Sequence, residues 1–293
     1  MQAVDRLTGQ RMTLYLDHNA TAPVRPEVAD AVATVIRECY GNPSAPYAPG
    51  QNARKAVAQA RRQVAALLNV TPPQITFTSG GTEANNLALT GTFFGRRDSR
   101  RNHLIATAIE HPSVVKTCEW LARRHGADLT ILEVGSDGRI DPAAIAEAIR
   151  PETLIVAVMQ ANNETGVLQP VQEISDLLNG TGIHFHVDGV QAVGRVAVDL
   201  AALPCHSYSL SAHKFGGLKG AGALINTTDG PCDPILHGGH QEAGMRAGTE
   251  NVPGIVGMGT AAERAMETLN DTAAHMLRLR AVFDNLATIL PVT

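Results

Sequence analysis

The chain has 293 residues, of which 44% are hydrophobic and 18% charged, and a formal net charge of −4. That is enough chain to bury one large core or two domains, and the charge gives no electrostatic case for a nucleic-acid partner. Four scattered cysteines (Cys39, Cys118, Cys205, Cys232) form no C-x-x-C pair, which argues against a zinc ribbon or a disulfide framework and suits a reducing, cytoplasmic setting.

The opening residues, MQAVDRLTGQRM, hold no apolar leader-like run, and no later stretch is apolar enough to span a bilayer, so no membrane partner is expected. From there short β-like runs alternate with helix-like runs. ITFTS (75–79) precedes a helical stretch over 82–94, and HLIAT (103–107) precedes one over 112–125. LTILEV (129–134) precedes one over 141–150, and TLIVAVM (153–159) one over 170–179. HFHVD (184–188), HSYSLS (206–211) and AGALIN (221–226) complete the strands. These runs are short, β-branched or aromatic, and bounded by turn residues. Pro112, Pro142 and Pro170 mark helix starts. Such alternation implies an α/β fold with a mostly parallel sheet covered by helices on both faces. Ligands of such sheets bind beyond the carboxyl ends of the strands, so functional residues should follow strands. From Pro253 onward there is no strand signal. Met276, Leu279, Phe283, Leu286 and Leu290 instead recur at 3- and 4-residue spacing, one apolar stripe on a long helix.

The strand ends carry the chemistry. After ITFT comes Ser79-Gly80-Gly81-Thr82-Glu83, where glycines let backbone approach a ligand and a helix start attracts an anion. A glycine-rich turn with a threonine cap would serve structure alone, and no Gly-Lys-Ser/Thr follows to make a P-loop. After HLIAT comes Glu110-His111-Pro112, in which His111 taken alone reads more often as a structural or capping residue. Asp188 ends a buried strand, where a carboxylate needs compensation. His184, His186 and Asp188 share one strand face, so a metal triad is a rival reading, weakened because only Asp188 reaches the sheet's end. Ser211, His213 and Lys214 follow the next strand, and an ammonium there is costly unless paired or used. An anion cradle, a histidine, a carboxylate and a lysine are together what pyridoxal 5'-phosphate (PLP) needs: a phosphate site, a ring-facing group, a partner for the pyridinium nitrogen and a Schiff-base lysine.

The blocks YLDHNATAPV, GNPS, FTSGGTEANNLAL, EHPSV, NNETGVLQP, HVDGVQAVGR, SAHKFGGLKGAGAL and GGHQEAGMRAGTEN stand in one order along residues 13 to 260. In them the chain resembles the class V aminotransferase family of PLP enzymes, and within it the cysteine desulfurases. The resemblance implies the aspartate aminotransferase-like fold type I. A large PLP-binding domain would cover 13–258 and 1–12 would be an N-terminal extension. A linker helix and the start of an incomplete small domain would cover 259–293. It implies that Lys214 holds the cofactor and moves the proton at the substrate Cα, while His111 lies against the ring and shuttles protons. Asp188 would pair with the pyridinium nitrogen, and Gln191 would bond the phenolic oxygen, with Asn163 nearby. Gly81, Thr82, Ser211 and His213 would hold the phosphate, and Thr249 would reach the phosphate of a second subunit in a homodimer. The implied reaction converts L-cysteine to L-alanine and passes sulfur as a persulfide to an acceptor protein for iron–sulfur or thiolation pathways.

Some positions depart from the family pattern. Gly189 stands where alanine is common, Thr165 where a larger aliphatic is common, and FGG where YGP is frequent. None of the four cysteines matches the family's catalytic loop cysteine, and the arginine that follows that cysteine has no counterpart before residue 293. A chain unable to complete persulfide transfer alone is therefore expected. An aminotransferase or a selenocysteine or β-lyase of the same family is the alternative chemistry, and a non-catalytic PLP-fold remnant the alternative of another class.

Overall fold

The computed structural model describes residues 2–4, 11–13, 15–96, 101–228 and 230–289. A two-stranded antiparallel ribbon, β1 (Gln2–Val4) with β2 (Arg11–Thr13), precedes two helices, α1 (Pro26–Glu38) and α2 (Ala48–Leu68). Neither helix figures among the elements predicted from sequence. The buried stripe of α2 is Ala53, Val57, Ala60, Val64 and Leu68, at helical spacing. Asn69 ends α2 in the left-handed region at φ 53°, a usual helix stop.

The expected strands follow in order: β3 (Ile75–Thr78), β4 (His103–Thr107), β5 (Asp128–Leu132), β6 (Thr153–Met159), β7 (His184–Asp188), β8 (Ser207–Ser211) and β9 (Gly222–Asn226). They form one sheet in the order β3-β9-β8-β7-β6-β4-β5, in which only β9 runs against the others. The expected mostly parallel sheet is therefore present. β5 is an edge strand and half exposed, and it begins one residue and ends two residues earlier than predicted, because its pattern lacks the contrast of a buried strand.

The single helix expected over 82–94 is α3 (Gly81–Asn86), a π-turn at Leu87–Gly91, and α4 (Thr92–Arg96). The connecting helices α5 (Pro112–His125), α6 (Pro142–Ala148) and α7 (Val171–Leu178) match prediction to within two residues at each end. The last helix, α8 (Val252–Ile289), packs on α1 and α2 through Ile255, Met258, Ala261, Ala262 and Ala265. The predicted apolar stripe lies farther along it, with Met276, Leu279, Phe283 and Leu286 exposed; Leu290 lies outside the described residues. The predicted domain boundary after residue 258 falls inside this helix.

The main core joins α1, α2, α7 and α8 to one face of the sheet through Val156, Val158, Phe185, Val187, Tyr208 and Leu210. Alternation then turns His184, His186, Asp188, Ser207, Ser209 and Ser211 to the opposite face of β7 and β8. All six are buried and polar, and α3 lies against β8 on this side. A core this polar has to be hydrogen-bonded throughout.

Candidate active site

Beyond the carboxyl ends of β7 and β8 lies a cavity of about 410 Å³, within the usual range for small-molecule sites. Gly81, Thr82, His111, Asn163, Asp188, Gln191, Ser211, His213 and Lys214 all line it. Nine of the ten residues singled out from sequence thus come together. The tenth, Thr249, lines a separate cavity of about 240 Å³ with Ser79, Glu242 and Arg246.

Each position has a local cause. Gly81 opens α3, and a Cβ there would lie 2.6 Å from Val190 Cγ2, so the close approach needs glycine. Thr82 is the second helical residue rather than the cap, because the helix begins one residue earlier than predicted; its side chain is exposed to the cavity. His111 is both cap and cavity residue: its Nδ1 accepts from the Ser113 backbone N–H at 3.1 Å. His213 Nδ1 lies 3.0 Å from Thr21 Oγ1, and Gln191 Nε2 donates to Asn19 O at 3.0 Å.

Asp188 is buried and fully engaged. Its Oδ1 accepts from Val190 N at 3.0 Å and faces Ser209 Oγ at 3.3 Å, and its Oδ2 accepts from Asn85 Nδ2 at 2.7 Å. Lys214 leaves β8 on a short 3₁₀ turn and donates from Nζ to Asn19 O at 2.5 Å and Ala20 O at 3.0 Å. Burial, then the charge of Arg195, bring its amine below the ordinary lysine range, against the pull of Asp17 and Asp188. That shift makes the neutral, nucleophilic amine more available.

Residues the sequence reading did not single out complete the lining, notably Asn19, Asn85, Ser113 and Glu164. Asn85 had a readable signal: it lies three residues after Thr82 on the same helix, hence on the same face. The rival metal triad does not converge. Both nitrogens of His186 are engaged, with Ser207 Oγ at 2.8 Å and Asn85 Oδ1 at 2.9 Å, and His184 bonds the same serine. None of the four cysteines lines the cavity. Cys118 and Cys205 are buried, and burial pushes both thiols up to about 12; Cys232 goes up to about 11 for the same reason.

A helix start, hydroxyls and an imidazole, together with a buried carboxylate and a lysine, line one cavity and form a donor set that fits a phosphorylated pyridine aldehyde. A family model described as aminotransferase class-V matches residues 14–285. The chain belongs to that family. Class-V aminotransferases are PLP-dependent, in keeping with the donor set. The chain is 42% identical over 276 residues to a cysteine desulfurase IscS of Methanosarcina thermophila, covering 94% of this chain and 68% of that protein. It is likewise 42% identical over 270 residues to a putative cysteine desulfurase IscS 1 of Bacillus subtilis, with 92% and 71% covered. Among solved structures, a NifS-like protein superposes with a TM-score of 0.91 at 36% identity, covering 94% of this chain and 75% of that one. A structure of SspA in complex with cysteine gives 0.83 at 37% identity, with 86% and 72% covered. The class-V chain thus shares the NifS-like architecture that the sequence resemblance implies.

No described helix is long and apolar enough to cross a membrane.

Proposed function

We propose that this class-V chain is a PLP-dependent cysteine desulfurase, taking L-cysteine to L-alanine and handing the sulfur to an acceptor thiol. The observation that carries the proposal is the meeting of Lys214, Asp188 and the Gly81–Thr82 helix start in one cavity. The substrate assignment rests on the relatives named cysteine desulfurase and on the cysteine-bound neighbour. Bound PLP supplies an electron sink for the pair released when the Cα–H bond breaks.

Lys214 would hold the cofactor covalently and then take the Cα proton, a step its lowered basicity suits. Asp188, fixed by three donors, would face the ring nitrogen. The α3 start, Thr82, Ser211 and His213 would take the phosphate, while Gln191 and Asn163 would serve the phenolic oxygen and the substrate. His111, whose Nδ1 is occupied by Ser113, would hold or hand on a proton through Nε2. None of the four cysteines lines the cavity, which supports an acceptor thiol from outside the described site. The placement of Thr249 on a separate cavity supports a role toward a second subunit in a homodimer. An iron–sulfur or thiolation pathway in the cytoplasm is the setting the IscS relatives suggest.

The test is covalent trapping. After reconstitution with PLP, borohydride should fix the cofactor to the peptide that contains Lys214. A protein that stays colourless, or label on another lysine, would overturn the proposal.

A further inference from the structure

The polar face of β7 and β8 holds one continuous chain of hydrogen bonds, and its direction can be worked out from both ends. At the cavity end both Asp188 oxygens accept, Oδ1 from Val190 N and Oδ2 from Asn85, so Asn85 turns its NH₂ toward Asp188 Oδ2. The second N–H of the same amide donates to Ser113 Oγ at 2.9 Å. Both amide protons are then used, and Asn85 Oδ1 is left as the acceptor for His186 Nε2 at 2.9 Å. His186 therefore carries its proton on Nε2, and its bare Nδ1 accepts from Ser207 Oγ at 2.8 Å. Having donated there, Ser207 accepts from His184 Nε2 at 2.8 Å.

The far end gives the same direction independently. Arg96 has no acceptor, so at 3.4 Å its guanidinium can only donate to His184 Nδ1, which leaves the His184 proton on Nε2. Every link thus donates toward Asp188, from the Arg96 guanidinium at one end to the Asp188 carboxyl oxygens at the other. Links of this kind polarise one another in the same sense. Both imidazoles are buried and neutral: burial, more than any neighbouring charge, brings His186 down to about 4 and holds His184 well below its ordinary value.

Asn85 also reaches the second ring-facing group. Ser113 Oγ, which accepts from Asn85, lies 2.7 Å from His111 Nδ1, and that nitrogen already accepts from Ser113 N. The serine hydroxyl is therefore the donor. One carboxamide governs both Asp188 and His111.

We propose that Asn85 is the positioning residue of the site: it orients Asp188 and His111 together, and a one-way donor chain from Arg96 through His184, Ser207 and His186 fixes its own orientation. The inference rests on the cofactor reading for what Asp188 and His111 do, but the chain itself does not need it.

Two measurements separate the two. First, ¹⁵N NMR of the imidazoles in protein without added cofactor, assigned through His184→Gln and His186→Gln, should show both protons on Nε2; a proton on Nδ1 of either overturns the chain whatever the cofactor does. Second, in PLP-loaded protein, Asn85→Ala should keep the borohydride label on Lys214 yet shift the visible absorbance maximum. It should also slow Cα hydrogen exchange at saturating L-cysteine about tenfold, with KM moved less than about threefold, the scale of one lost hydrogen bond to a charged group. His186→Gln, whose amide still offers an N–H toward Asn85, should stay within about threefold. Wild-type absorbance and rate in Asn85→Ala would overturn the positioning role. If that variant does not fold, Ser113→Ala and Ser207→Ala cut the two arms separately, and unchanged rates in both would overturn it equally. If unmodified protein takes no label on Lys214, the cofactor reading fails while the tautomers still decide the chain.

Discussion

Gly189, placed where relatives commonly carry alanine, should tolerate no such change in this chain. A Cβ at this position would lie 1.8 Å from Tyr208 Cζ, 2.0 Å from Cε1 and 2.1 Å from the hydroxyl. Carbon atoms in contact settle at about 3.5–4 Å, so the ring would have to retreat by roughly 1.5 Å or more. It has nowhere to go, because Tyr208 is fully buried in the main core. Overpacking of this kind costs about 1–3 kcal/mol. Displacing the ring also breaks the 2.6 Å hydrogen bond from the Tyr208 hydroxyl to Gln160 Oε1, worth about 1 kcal/mol more, with a further penalty for an acceptor left buried. Gly189→Ala should therefore destabilise by about 3–5 kcal/mol, a large share of the ~5–15 kcal/mol that typically holds a fold together. Urea unfolding followed by circular dichroism measures it. The steric origin is isolated by repeating the change in a Tyr208→Val background, where the added methyl should cost under about 1 kcal/mol. A cost below ~0.5 kcal/mol in the unmodified chain, or full additivity of the two substitutions, would refute the reasoning.

Glu110 provides a pH signature. Burial pushes its carboxyl up to about 8 against the hydrogen bonds from Thr107 and Met159, and Oε2 has no partner. A raised carboxyl binds its proton more tightly in the folded state, so its contribution is full below the ordinary 4.5 and is lost as pH rises through about 8. Glu110→Gln, which keeps the accepting oxygen, should flatten the stability profile between pH 5 and 8; an unchanged slope would contradict this. Lys214→Ala should lower Cα hydrogen exchange by at least about 10²-fold, measured by deuterium uptake into the amino acid. Asp188→Asn should slow the same exchange while shifting the unfolding midpoint far less, and wild-type exchange would remove Asp188 from its role. Replacing Cys39 and Cys232 by serine should leave the exchange rate unchanged, since neither lines the cavity.

How far the sequence could be read followed from the range of each signal. β6 was legible to the residue as a continuous apolar, β-branched run, and β7 as an alternation of polar and apolar residues closed by a turn. Lys214, Asp188 and Gly81 were legible because the rule that sites follow strand ends needs only local pattern. α1 and α2 were not, since they precede β3 and so stand outside the strand–helix alternation that organised the reading. His184 and His186 were correctly placed on one face, yet their partners could not be read: Asn85 stands 101 residues from His186. A polar residue in a buried strand announces that it needs a partner without saying which. The Gly189 departure was visible as a difference, but its cause, the ring of Tyr208 in the place of a Cβ, exists only in three dimensions.

The sheet order sets a timetable for synthesis. β3 delivers the Gly81 helix start, yet its only neighbour in the sheet is β9, so residues 79 to 221 must be made before that strand has a ladder to join. At about 5–20 residues per second this is roughly 7–30 s of translation. Through that interval β4 to β8 can assemble around Asp188 and Lys214 while the Gly81 helix start that lines the same cavity lacks its anchor. A growing chain should therefore capture the cofactor only after Asn226 has left the ribosome, so supply of the cofactor and completion of the edge of the sheet are linked in time.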